Sequence, residues 1–194
     1  MSAIKEYGDA KEEGDLIEEE FVQHCEDYGW TLLDLTGRFR NNDGAPIARN
    51  KTKKIKTPDY MLGKPPLATP IVVEVKGKDP VKLDSGDEYW LDDIRWEYFN
   101  QIHHEFSVAG LMVWKHKPYE VNDIDNFFCA SAEYLAKNIH SYHLGGRDRN
   151  GKRSHVYTWK TEIFIPLKEF LTSDIMSGGR YPFFIKKAQK WVEI

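Results

Sequence analysis

The chain has 194 residues, 27 basic against 31 acidic, a net charge of −4 and 41% hydrophobic residues. That size fits one domain over residues 1–194 with a substantial interior, and the apolar stretches are strand-sized, too short for a membrane-spanning helix of about 20 residues. The opening Met1-Ser2-Ala3-Ile4-Lys5-Glu6 lacks the apolar core of a secretory signal, and Cys25 and Cys129 have no CxxC partner; the expected setting is a reducing cytoplasm with both thiols in the core.

In chain order, Asp15 to Tyr28 reads as an amphipathic helix, with Ile17, Phe21, Cys25 and Tyr28 at helical spacing and Gly29 as the stop. Glu18 lies on the edge of that apolar face, whereas Glu19 and Glu20 are expected to point towards water. Trp30 to Thr36 reads as a strand, and Gly37 to Lys56 as a long loop with the turn signal Asn42-Asp43-Gly44. Thr57 to Leu62 is a second, short strand whose Pro58 suits an edge or a strand start. Gly63-Lys64-Pro65-Pro66 breaks it, and Ile71 to Lys76 is a β-branched, buried strand.

Gly77 to Glu88 is polar and expected to be mobile. A long helix from Tyr89 to Ser107 carries Leu91, Ile94, Tyr98, Ile102 and Phe106 along one stripe. Ala109 to Trp114 is a buried strand, Asn122 to His140 a helix, and Val156 to Pro166 an alternating strand with Tyr157, Trp159, Ile163 and Ile165. The expected architecture is α/β, a central mixed sheet flanked by helices. No repeat, low-complexity segment or phosphate-binding P-loop interrupts it.

The chemistry concentrates in Pro58-Asp59 and Glu74-Val75-Lys76. Successive side chains of a strand point to opposite faces, so Glu74 and Lys76 share one face while Val73 and Val75 enter the core on the other. With Asp59 on a neighbouring strand, two carboxylates and a cation meet at one place. An ordinary strand-end ion pair would explain Glu74 and Lys76 alone, but not their company.

This pattern resembles the PD-(D/E)XK nuclease superfamily, which includes restriction endonucleases and Holliday-junction resolvases. The resemblance covers about residues 15–114, with 115–194 as a C-terminal extension of the same domain. It implies a restriction-endonuclease-like core in the order αβββαβ, and a metal-dependent nuclease acting on nucleic acid, with DNA the majority substrate in the family. Asp59 and Glu74 would hold Mg²⁺, for which Mn²⁺ would substitute, aided by the Val75 backbone carbonyl. Lys76 would position water or neutralise charge, because the nearby anions oppose the depressed pKa that a general base needs. Glu18 is the helical acid carried over, completing or tuning the metal shell. Gln101 and Tyr98, on the helix after the lysine strand, are candidates to frame the site, although their spacing does not match the family's motif.

Charge distribution supports a nucleic-acid partner despite the acidic total. Residues 1–27 hold ten acids against two bases, whereas 38–56 hold Arg38, Arg40, Arg49, Lys51, Lys53, Lys54 and Lys56 against Asp43 alone. That block leads into Asp59, so a phosphate backbone gripped there would be delivered to the acids. A smaller cluster is Arg147, Arg149, Lys152 and Arg153. Trp90, Trp96 and Tyr89 permit base stacking. The histidines His103, His104, His140, His143 and His155 lack the paired spacing of a zinc site. The competing reading is a catalytically inactive nucleic-acid-binding or assembly module. Endonuclease and exonuclease both fit, and cutting both strands of a duplex would suit a homodimer.

Overall fold

The structure is a computed structural model that describes residues 2–35, 47–49, 54–64, 70–84, 86–147 and 153–172. Helix α1 spans Ser2–Asp27, starting earlier than expected and ending where Gly29 predicts. Ile17, Phe21 and Cys25 recur every four residues and are buried together. Gly29 takes φ +75°, a conformation that glycine adopts without steric cost, and its N–H donates to the Glu26 carbonyl at 2.8 Å. The Trp30 N–H donates to the Cys25 carbonyl, turning the chain into β1, Thr31–Asp34.

Strands β2, Ile47–Arg49, and β3, Lys54–Lys56, pair antiparallel. The loop expected over 37–56 therefore contains a strand pair, and β3 runs beside α2, Asp93–Phe106. Strand β4 is Tyr60–Gly63 and β5 is Ile71–Gly77. Pro58 and Asp59 precede β4 instead of lying within it, as a residue without an N–H to give a ladder requires. Strand β6, Glu88–Asp92, is followed by α2 and then β7, Ala109–Lys115. Val81 bridges Glu88 and ties the intervening segment back onto β6.

The expected helix from Tyr89 to Ser107 is thus a strand and a helix. Tyr89 and Leu91 alternate inward with Trp90 between them, while α2 buries Trp96, Phe99 and Ile102. The stripe proposed for it is corrected accordingly: Ile94 is 54% exposed, Tyr98 37% and Phe106 59%. The helix expected from Asn122 to His140 is also corrected. It is a 3₁₀ turn, Ile124–Asn126, then β8, Phe127–Ser131, then the short α3, Ala132–Lys137, capped by the Ser131 hydroxyl. Strands β9, Ser141–Arg147, and β10, Arg153–Lys160, follow. The strand expected over Val156 to Pro166 breaks at a 3₁₀ turn, Thr161–Ile163, before β11, Ile165–Pro166, and α4, Leu167–Thr172.

The central sheet has six strands in the order β1-β4-β5-β7-β8-β11. Only β5 and β7 pair in parallel, joined by a crossover through α2; the other neighbours are antiparallel. The sheet is mixed, flanked by helices, and the order α1, β1, β4, β5, α2, β7 realises the expected αβββαβ succession.

Both sheet faces are covered, which explains the continuous apolar run of β5. One face packs Val73, Val75, Leu111 and Val113 against Ile17, Phe21 and Cys25 of α1, with Cys129 and α4 in the same cluster. The other packs Val72, Met112 and Trp114 against α2, α3 and a second sheet, β6-β10-β9. Among the described residues no helix is long and apolar enough to cross a membrane.

Candidate active site

Register brings the acids together. Tyr60 pairs with Val73 in the antiparallel β4–β5 ladder, and extending the register one step sets Asp59 opposite Glu74. Both are only 5% exposed. Ionised carboxylates out of water cost several kcal/mol each, of order, unless paired, so each requires partners. Asp59 Oδ2 accepts from the Val75 N–H at 2.8 Å and faces Lys76 Nζ at 3.4 Å. Glu74 Oε1 lies 2.6 Å from the same Nζ, which also donates to the Val75 carbonyl at 2.8 Å. Burial opposes the charge on Lys76, yet Asp59 and Glu74 outweigh it and hold its pKa above the ordinary lysine value.

Three oxygens, from Asp59, Glu74 and the Val75 carbonyl, therefore converge on one positive centre. An all-oxygen set of this kind suits a hard divalent cation. Among the described residues no group of three or more His, Cys, Asp or Glu side chains is placed to hold a metal ion. Asp59, Glu74 and the Val75 carbonyl are the oxygens here that could hold such an ion.

Glu18 reaches the site from α1. Its Oε2 accepts from the Tyr60 hydroxyl at 3.3 Å. Burial, then repulsion by Asp59, pushes its pKa up to about 7, against the opposing pull of Lys76 and the Tyr60 hydrogen bond. Tyr60, absent from the sequence-based set, packs its ring 5.8 Å from Phe21 and so locks the Glu18 partner to the core. Its position next to Asp59 was the available signal.

The expectation that Glu20 faces water is corrected. It is buried and paired with Lys115 at the end of β7, whose Nζ also donates to the Tyr119 carbonyl at 2.6 Å. Glu20 and Lys115 form a separate ion pair beneath α1, and Glu19 is exposed.

The remaining candidates are spread more widely. Gln101 donates to Glu105 one turn further along α2, at 3.4 Å, and Tyr98 is exposed on the same helix. Arg38, Arg40, Lys51 and Lys53 lie outside the described residues; the backbones of Arg49, Lys54 and Lys56 lie in β2 and β3. Tyr89 and Trp96 are core residues, leaving Trp90 half-buried. His140 lies 3.3 Å from Glu88, and His155 stacks on Tyr142.

Sequence reasoning missed two cations. Lys78, two residues beyond Lys76, places its Nζ 3.0 Å from the centroid of the Trp90 ring, and Arg95 on α2 stands 3.8 Å from Asp92 Oδ2. The period-2 continuation from Glu74 through Lys76 was a signal for Lys78; Arg95 carried none.

No family model matches the chain, and no curated protein matches it by sequence. Among solved structures it is similar to Hjc, a Holliday junction resolvase from the archaeal hyperthermophile Archaeoglobus fulgidus, at 11% identity and a TM-score of 0.48, over 84% of this chain and 98% of that one.

Proposed function

We propose that the protein is a divalent-metal-dependent nuclease of the PD-(D/E)XK type, a single restriction-endonuclease-like domain that hydrolyses phosphodiesters in DNA. The observation that carries this reading is the convergence of Asp59, Glu74 and the Val75 carbonyl on Lys76 Nζ. Two buried carboxylates beside one lysine cost stability that a purely structural strand end avoids with apolar residues.

Asp59, Glu74 and the Val75 carbonyl would hold Mg²⁺ or Mn²⁺, which supplies Lewis-acid polarisation of the phosphate and a more acidic bound water. Lys76 remains protonated, so its work is electrostatic: it orients the attacking water and neutralises charge growing on the phosphoryl oxygens. Water adds to phosphorus, the bond to the leaving oxygen breaks, and the products are a phosphate monoester and a hydroxyl. Glu18, hydrogen-bonded to Tyr60 beside these acids, would complete or tune the metal shell, and the proton that water gives up ends on the leaving oxygen. The basic residues of 38–56 would grip the backbone, and Gln101 and Tyr98 would border the substrate path.

The test is cleavage of supercoiled, linear, branched and single-stranded DNA, plus RNA, in Mg²⁺, Mn²⁺ or chelator. Metal-dependent cutting by the wild type and its loss in Asp59→Ala are expected. Binding without cutting under every condition would favour the inactive binding module.

A further inference from the structure

The sheet β6-β10-β9 has two unlike faces. Tyr89, Leu91 and Trp159 enter the core. Trp90 and Asp92, with Ser154 and Thr158 of β10 and His143 of β9, face the other way and line a half-open cavity of about 500 Å³. The register, Trp90 opposite Thr158 and Asp92 opposite Val156, holds this lining together.

Trp90 and Asp92 connect the cavity to the cations near Lys76. Lys78 is one of these cations: it follows Lys76 by two residues and sits over the Trp90 indole. Asp92 accepts from the Ser154 hydroxyl at 2.8 Å and faces Arg95 at 3.8 Å. Burial pushes the Lys78 amine down to about 8; Asp92 opposes this, while Arg95 and Lys76 reinforce it. Lys78 over Trp90 and Arg95 beside Asp92 thus put two cations next to cavity-lining residues, where a phosphate would find donors.

Building on the nuclease reading, we infer that this cavity holds the base of an unpaired nucleotide of the substrate strand, against Trp90, with its phosphate at Lys78 and Arg95. The preferred substrate therefore carries single-stranded DNA beside the cut. The cavity lies within the range of about 300–1,000 Å³ typical of small-ligand sites, the scale of a nucleotide and far below that of a duplex. Lys78 covers one face of the Trp90 indole; the part that lines the cavity offers a base a stacking surface, and Asp92, Ser154 and His143 offer hydrogen-bonding groups to its edge.

The test is fluorescence anisotropy in chelator, so that binding is read without cleavage, on fluorescein-labelled hairpin DNA that is blunt or ends in a five-nucleotide tail. The wild type is expected to bind the tailed hairpin about tenfold more tightly than the blunt one. Abasic residues throughout the tail should erase most of that ratio in the wild type, and Trp90→Leu should erase it on the intact tail. Equal affinity for tailed and blunt DNA, or a ratio untouched by abasic residues, overturns the inference while leaving the nuclease reading to stand on its cleavage assay. Failure to bind any DNA overturns both.

Discussion

Lys76 Nζ lies 2.6 Å from Glu74 Oε1 and 3.4 Å from Asp59 Oδ2, so one ammonium serves two buried carboxylates from different segments of the chain. Removing that ammonium takes away the charge the two acids share and leaves their mutual repulsion less opposed.

Lys76→Ala is therefore expected to destabilise the fold in chelator by about 1–3 kcal/mol, less than a fully buried pair because the lysine retains some solvent contact. Added Mg²⁺ should recover part of the loss, because a cation held by the same oxygens replaces the missing charge. Urea unfolding with and without Mg²⁺ reads both effects. Unchanged stability in chelator would contradict the pairing.

Glu18 gives a pH signature. Its folded pKa of about 7 lies above the ordinary 4.5, so between these values the folded protein holds the proton more tightly than the unfolded chain. This contribution to stability is fully present below the ordinary value and is lost as pH rises towards 7. Allowing for partial exposure, wild type should lose about 1–2 kcal/mol relative to Glu18→Gln across that window. Urea midpoints from pH 4.5 to 8 measure it, and parallel curves for the two proteins would remove Glu18 from the site.

The pair between Glu20 and Lys115 predicts strong non-additivity. Lys115 is fully buried, so Lys115→Met strands a buried carboxylate and should cost about 3–5 kcal/mol. Adding Glu20→Gln should recover a large share of it. A double-mutant cycle by chemical denaturation reports the coupling; strictly additive losses would show that the two charges do not depend on each other.

The readable parts of this chain were those in which local periodicity and tertiary burial agree. Alternation along β5 placed Glu74 and Lys76 opposite Val73 and Val75, and Gly29 marked the end of α1. Glu20 was misjudged because its partner is 95 positions away, and helical spacing near an apolar stripe cannot reveal a distant lysine. Leu91 and Ile94 mimic a helical i, i+3 pair, yet Leu91 lies in a strand whose inward residues Tyr89 and Leu91 alternate; the second sheet that requires this lies in pairings with β10. Phe127 to Ser131 had helix-compatible residues such as Cys129 and Ala130, but the open edge of β7 recruits them as a strand. Arg95 acquired its interest only when the crossover set it near Lys78, and Trp90, one of three aromatics that permit base stacking, was set apart from Tyr89 and Trp96 by its half-buried place under Lys78.

The central claim is tested most directly by comparing wild type with Glu74→Gln, which keeps the shape of the side chain and removes its charge, in single-turnover DNA cleavage with Mg²⁺ and with chelator. The account predicts cutting by the wild type only with the metal, and a loss of at least about 100-fold in Glu74→Gln at unchanged DNA affinity. Equal cleavage by the two proteins, or cleavage that persists in chelator, would contradict it.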